Sequence, residues 1–201
     1  MQRSARPPLR VVLLDADGVL QRRRPGLVRS LLRLGGPRFL LDAMRAEVGC
    51  LTGDRDFPDA LAEVIRRHRI PRTVDEVARG WLEIVVDPRR LELVDDLRAA
   101  GVRVALATNQ HRFRGLHMRE MLRLDDHFDT AYYSFELGVA KPDAGYFTRI
   151  LDDLGEQPSS VLFVDDLPSN VRAARALGID ARLHLWRTGP AGLRRTLASR
   201  L

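Results

Sequence analysis

Residues 9–20 read "LRVVLLDADGVL", and the fold follows from how this stretch is taken. The run from Leu9 to Leu14 is short, apolar and partly β-branched, as expected of a strand buried on both faces of a parallel sheet. It leads straight into Asp15 and Asp17, with Gly18 next to let the chain turn sharply. Side chains two apart on an extended segment point to the same side. Two carboxylates held that close repel each other unless a cation lies between or beside them, and a divalent cation with oxygen ligands meets that need. The same residues also make an ordinary Asx-rich turn after a strand.

Four more runs of this kind follow: "VRVALA" (102–107), "TAYYS" (130–134), "VLFV" (161–164) and "ARLHLW" (181–186). Helical patterns separate the later ones. "PRRLELVDDLRAAG" carries Leu91, Val94 and Leu97 at helical spacing and stops at Gly101, "DAGYFTRILDDLG" stops at Gly155, and "PSNVRAARALG" stops at Gly178. Strand alternating with helix predicts an α/β core, a Rossmann-like, doubly wound parallel sheet. Between Val19 and Pro88 the alternation fails for about 70 residues, far beyond a usual βα loop. The intervening chain reads as helical in "PRFLLDAMRAEVG", "FPDALAEVIRRH" and "TVDEVARGWLEIVV", the last opened by a Thr73 cap with Glu76 three residues on. The expected organisation is a core of residues 1–19 and 88–201 with a small helical cap, 20–87, inserted in it. Phe39, Leu40, Met44, Leu61, Ile65, Trp81 and Ile84 are expected to form the cap's own core.

In an open parallel sheet, ligands bind beyond the carboxyl ends of the strands. The second long run ends in "ATNQ", where Thr108 and Asn109 offer neutral donors to an anionic oxygen, or cap the helix that follows. The fourth ends in "FVDDLPSN". Helix capping accounts for one of Asp165 and Asp166 more easily than for both, and a second carboxylate is costly to desolvate without a cation. "GVAKPDAGYF" (138–147) adds Lys141. The chain has 33 lysines and arginines together, and every one except Lys141 is an arginine. An ammonium is a compact, rotatable point charge, suited to a tight site that a guanidinium fork would not fit.

The net charge is +6 and the sequence pI about 10.5. The arginines are nevertheless scattered among acids, with one cluster in "QRRRPGLVRS", so a small anionic substrate is expected and a nucleic-acid partner is not. A lone cysteine, Cys50, excludes an intramolecular disulfide, no stretch suits a membrane span, and "MQRSARPPLR" lacks a signal peptide's apolar segment. These features predict a cytoplasmic protein.

Taken in order, "LLDADGVL", "ALATNQ", "GVAKPDAGYF" and "FVDDLPSNV" resemble the haloacid dehalogenase superfamily, with a helical insert after the first motif. The resemblance spans roughly residues 9–186. It implies a Mg²⁺-dependent phosphatase acting on a small phosphorylated metabolite through an aspartyl-phosphate. Asp15 would be the nucleophile, and Asp17 the acid that protonates the leaving oxygen and later the base that activates water. Thr108, Asn109 and Lys141 would hold the phosphoryl group. Asp15, the Asp17 carbonyl and Asp166 would bind the metal, with Asp165 assisting directly or through water. An acid at Asp17 is expected to have a pKa raised by burial under the cap. The dehalogenating branch lacks the second aspartate, and the phosphonate-cleaving branch uses a cap lysine that this insert does not contain. A sugar phosphomutase of the same fold uses the same residues and differs in cap closure. A non-catalytic regulatory or nucleic-acid-associated module would instead bind an anionic partner through the arginines near residue 22. Arg22 to Arg24, Arg38, Arg45 and Arg55 are candidate substrate cations. His68 and His111 are not expected to be ligands, since a hard cation prefers oxygen.

Overall fold

The computed structural model describes residues 8–200; Leu201 and residues 1–7 of the expected amino-terminal core segment lie outside the described residues. Five parallel strands form the main sheet: β1 (Val11–Leu14), β4 (Arg103–Thr108), β5 (Thr130–Tyr133), β6 (Val161–Asp165) and β7 (Asp180–Leu183), in the order β5-β4-β1-β6-β7. β1 lies in the middle, its four residues buried on both faces, which is why it reads as an unbroken apolar run.

Alternate residues of the strands face different layers. Val12, Leu14, Val104, Leu106, Leu162 and Val164 pack with Leu93, Val94 and Leu97 of α4 (Pro88–Ala99) and Leu193 and Leu197 of α9 (Gly189–Ala198). On the opposite face, Val11, Leu13, Ala105 and Phe163 meet Tyr146, Phe147 and Ile150 of α7 (Ala144–Leu154) and Val171 and Ala174 of α8 (Pro168–Ala176). Register aligns Leu14 with Leu106 and Val164, so the three central strands end together and their terminal residues share one edge. The last strand is shorter than expected. Trp186 leaves the sheet for a 3₁₀ turn, where the Arg90 guanidinium lies 3.9 Å from its ring centroid.

Between β1 and α4, an antiparallel ribbon of β2 (Gln21–Arg23) and β3 (Ile84–Val86) forms, with Gln21 opposite Val86 and Arg23 opposite Ile84. Residues 84–86 therefore form a strand, not the end of a helix, as suits the β-branched "IVV". Between them lie α1 (Leu27–Val48), α2 (Phe57–Arg67) and α3 (Val74–Leu82). α1 starts ten residues before the expected Pro37 and kinks at Gly36, whose φ is 74°. At Thr73 the capping box is present: its hydroxyl accepts from Glu76 N at 3.3 Å and its own N–H donates to the Glu76 carboxylate at 2.8 Å. Phe39, Leu61, Ile65 and Trp81 are buried in a separate apolar cluster, with Leu40 and Met44 at its margin. Ile84 departs from expectation and packs against the main core instead. Among the described residues, no helix is long and apolar enough to cross a membrane.

Candidate active site

The strand ends bring Asp15, Asp17, Thr108, Asp165 and Asp166 to one edge of the sheet. The Asp15 N–H donates to Val164 O at 3.0 Å, which locks the start of the β1 loop to β6. Gly18 then turns the chain with φ of 76°, and a Cβ there would lie 2.1 Å from an Asp166 carboxylate oxygen. Only a residue without a side chain lets Asp166 approach this loop. Asp15, Asp165 and Asp166 each offer an oxygen within 4.8 Å of the others.

Lys141 reaches this cluster from the loop before α7. Its ammonium donates to Asp15 Oδ1 at 2.9 Å, Asp165 Oδ2 at 2.7 Å and the Ala107 carbonyl at 2.7 Å. All three donors are thus used, and the side chain is 1% exposed. Asn109 secures the loop, with its amide nitrogen on Lys141 O at 2.7 Å and its amide oxygen accepting from Lys141 N at 2.9 Å. Asn109 thereby grips the lysine's main chain. Thr108 is fully buried, and its hydroxyl accepts from the Gln110 amide at 3.1 Å.

The two adjacent aspartates differ in their surroundings. Asp165 is buried and accepts from Lys141, from Leu167 N at 2.8 Å and from the Asn170 amide at 3.0 and 3.1 Å. A neutral amide at position 170 suits this place, since a further acid would face a buried carboxylate. Asp166 is half-buried beside Gly18. Burial, and then the nearby Asp165 and Asp17, push the Asp166 carboxyl up to about 6. Burial likewise pushes Asp15 up to about 8, with Lys141 pulling the other way and Asp165 and Asp17 adding to the rise. One ammonium does not balance so many carboxylates. An all-oxygen donor set with excess negative charge fits a hard divalent cation, which would keep Asp15 and Asp166 ionised.

Asp17 contradicts the expectation of a raised pKa. Burial would raise it, but the Arg114 guanidinium more than offsets this and holds the carboxyl at about 2. Arg114, on α5 (Arg112–Leu116), donates to Asp17 Oδ2 at 2.5 Å and Oδ1 at 2.9 Å. The Gln110 and Gln21 amides add bonds of 3.0 and 3.2 Å. Sequence alone does not single out these three partners. Arg114 looks like any other arginine of "HRFRGL", and the one local hint is that Gln110 and Arg114 stand four apart, one helical turn.

Several other candidates have partners of their own. Arg23 pairs with Glu47, Arg55 with Glu63 at 2.6 Å, and Arg45 lies 3.6 Å from Asp42. Arg22 lies over the Trp186 ring, so the "QRRR" cluster does not form one patch. His68 meets Asp42 at 2.8 Å. His111 is buried and stacks on Phe57 with centroids 4.1 Å apart; burial, then Arg114, pushes it down to about 3.

Comparison with known proteins shows the family to which the chain belongs. The chain is 32% identical over 187 residues to a phosphoglycolate phosphatase of Pseudomonas putida, covering 85% of this chain and 67% of that protein. It is 31% identical over 142 residues to a D-ribitol-5-phosphate phosphatase of Bacteroides thetaiotaomicron, covering 67% and 66%. A HAD-like family hydrolase of Porphyromonas gingivalis superposes with a TM-score of 0.79 at 23% identity, covering 95% of this chain and 98% of that one. A magnesium complex of a HAD family enzyme from Bacteroides thetaiotaomicron superposes with a TM-score of 0.79 at 20% identity, covering 89% and 94%. At these identities the two structures speak to the fold alone. The haloacid dehalogenase-like hydrolase family model matches residues 9–178, the span that carries every strand-end residue described above except those of β7, and the chain therefore belongs to that family of hydrolases.

Proposed function

We propose that the protein is a divalent-cation-dependent phosphatase of small phosphate monoesters, with residues 20–87 acting as a cap over a core formed by 1–19 and 88–201. The observation that carries this reading is the Lys141 ammonium held between Asp15 and Asp165, at the edge where Asp166 and Asp17 also lie. A carboxylate attacks a phosphate dianion only when their repulsion is offset, and here the cation is already in place.

An Asp15 oxygen attacks phosphorus and forms the P–O bond of an aspartyl-phosphate as the bond to the leaving oxygen breaks. Asp17 gives that oxygen a proton. In the second half Asp17 takes a proton from water, whose oxygen attacks phosphorus and frees Asp15 and inorganic phosphate. Thr108 holds a phosphoryl oxygen, Lys141 neutralises Asp15 and the phosphoryl charge through its own positive charge, and Asn109 holds the lysine loop. Asp15, Asp166 and the Asp17 carbonyl would hold a magnesium ion, which would supply positive charge to offset the repulsion between nucleophile and phosphate, while Asp165 orients Lys141. The Arg114 guanidinium favours the ionised form of Asp17, which suits the second half; the first half requires it protonated.

Relatives named for phosphoglycolate and ribitol phosphate make a small anionic or hydroxylated monoester the class to screen, with specificity set by the cap. Hydrolysis of an aryl phosphate is expected to require Mg²⁺, to stop with EDTA and to be abolished in Asp15→Asn. Turnover that survives both treatments overturns the reading.

A further inference from the structure

Every N–H-bearing nitrogen of the Arg114 guanidinium is committed. Nη1 and Nη2 hold the two Asp17 oxygens, Nη1 also reaches Gln110 Oε1 at 2.6 Å, and Nε donates to the Trp81 carbonyl at 3.0 Å. The side chain is 1% exposed. Trp81 lies in the last turn of α3, inside the insert, whereas Asp17 belongs to the core. One buried side chain therefore bonds both. α5 is itself an insert-facing element: its cap residue His111 stacks on Phe57 of α2, and Phe113 packs on the insert's apolar cluster.

The carboxylate of Asp17 has little freedom in this frame. Oδ1 accepts from Arg114 and Gln21, and Oδ2 from Arg114 and Gln110. A bidentate guanidinium fixes the plane of a carboxylate as well as neutralising it. A side chain so held can be aimed at a leaving oxygen only in the direction the clamp allows, and an error of about 1 Å in such aim costs on the order of 10²-fold in rate.

We infer that Arg114, itself pinned by the insert's Trp81 carbonyl and by Gln110, is the positioning residue that aims the Asp17 carboxyl at the leaving group. The inference rests on the reading of Asp17 as the acid. Arg114 touches neither substrate nor phosphorus; it acts through Asp17.

The test compares kcat/KM for an alkyl phosphate, whose leaving oxygen needs a proton, with that for 2,4-dinitrophenyl phosphate, whose leaving group does not. This constant reports the steps up to aspartyl-phosphate formation. Asp17→Asn is expected to lose about 10²-fold or more on the alkyl ester and little on the dinitrophenyl ester. Arg114→Met should follow the same pattern at about tenfold, and Arg114→Lys should recover part of the loss. Gln110→Met keeps the guanidinium, guards against a folding failure in Arg114→Met, and should give a smaller loss of the same selectivity. Equal losses on both esters in the Arg114 and Gln110 variants, with Asp17→Asn still selective, overturn the inference alone. No selectivity in Asp17→Asn overturns the acid reading and the inference together.

Discussion

The ammonium of Lys141 meets three acceptors at 2.7 to 2.9 Å, from Asp15, Asp165 and Ala107. Three rotatable donors on one nitrogen suit such a convergent set, and a planar guanidinium fork does not. Lys141→Arg is therefore expected to lower kcat by about 10²-fold or more, while far-ultraviolet circular dichroism stays unchanged; undiminished turnover would refute the role. At Gly18 the constraint is steric. Its φ of 76° and the 2.1 Å approach of Asp166 to a Cβ leave no place for alanine. Gly18→Ala should displace Asp166 and raise the Mg²⁺ concentration for half-maximal activity about tenfold, read from activity titrated against Mg²⁺; an unchanged titration would separate Asp166 from the metal. Each of these residues stood out in the sequence for a local reason: one lysine among arginines, one glycine after two aspartates.

Elements were legible where their signals are local. The Thr73 capping box was readable because donor and acceptor are three residues apart and are found together in the structure. Thr73→Ala should cost about 1 kcal/mol in urea unfolding and leave kcat/KM unchanged. β3 is not legible locally, for the opposite reason. Its helical pattern continues from α3, and Ile84–Val86 become a strand only because Gln21–Arg23, some sixty residues earlier, lie alongside. Likewise the first half of α1 was hidden by Gly35, Gly36 and Pro37, residues that read as a break and in the structure make a kink.

Across the molecule, α4 is tied to the insert boundary and to the chain after β7 through Arg90. Its guanidinium is buried and donates to Val19 O at 2.6 Å, to Trp186 O at 2.9 Å and to His184 Nε2 at 2.9 Å. An imidazole nitrogen that accepts from arginine carries no proton. Burial first, and Arg90 second, push His184 from 6.5 down to about 4. The unfolded chain thus takes up the proton first as pH falls. The neutral His184 contributes stability that is fully present above about 6.5 and is lost progressively as pH drops toward about 4. Melting temperatures at pH 7 and pH 5 should fall less in His184→Asn than in the parent; parallel declines would show that His184 carries none of the dependence.

By itself the sequence determined the five strands of the sheet, its carboxyl edge and the acids that follow the first and fourth strands, because buried strands, turn glycines and strand-end acids are all signalled within a few neighbouring positions. The tertiary structure alone decided the state of Asp17. Its partner Arg114 is 97 residues away and chemically indistinguishable, in the sequence, from the other arginines. Burial by itself would have raised the Asp17 pKa, as expected; a buried guanidinium brought in by the packing of α5 against α2 lowers it, because at 2.5 and 2.9 Å from the half-buried carboxylate the attraction outweighs the cost of burial.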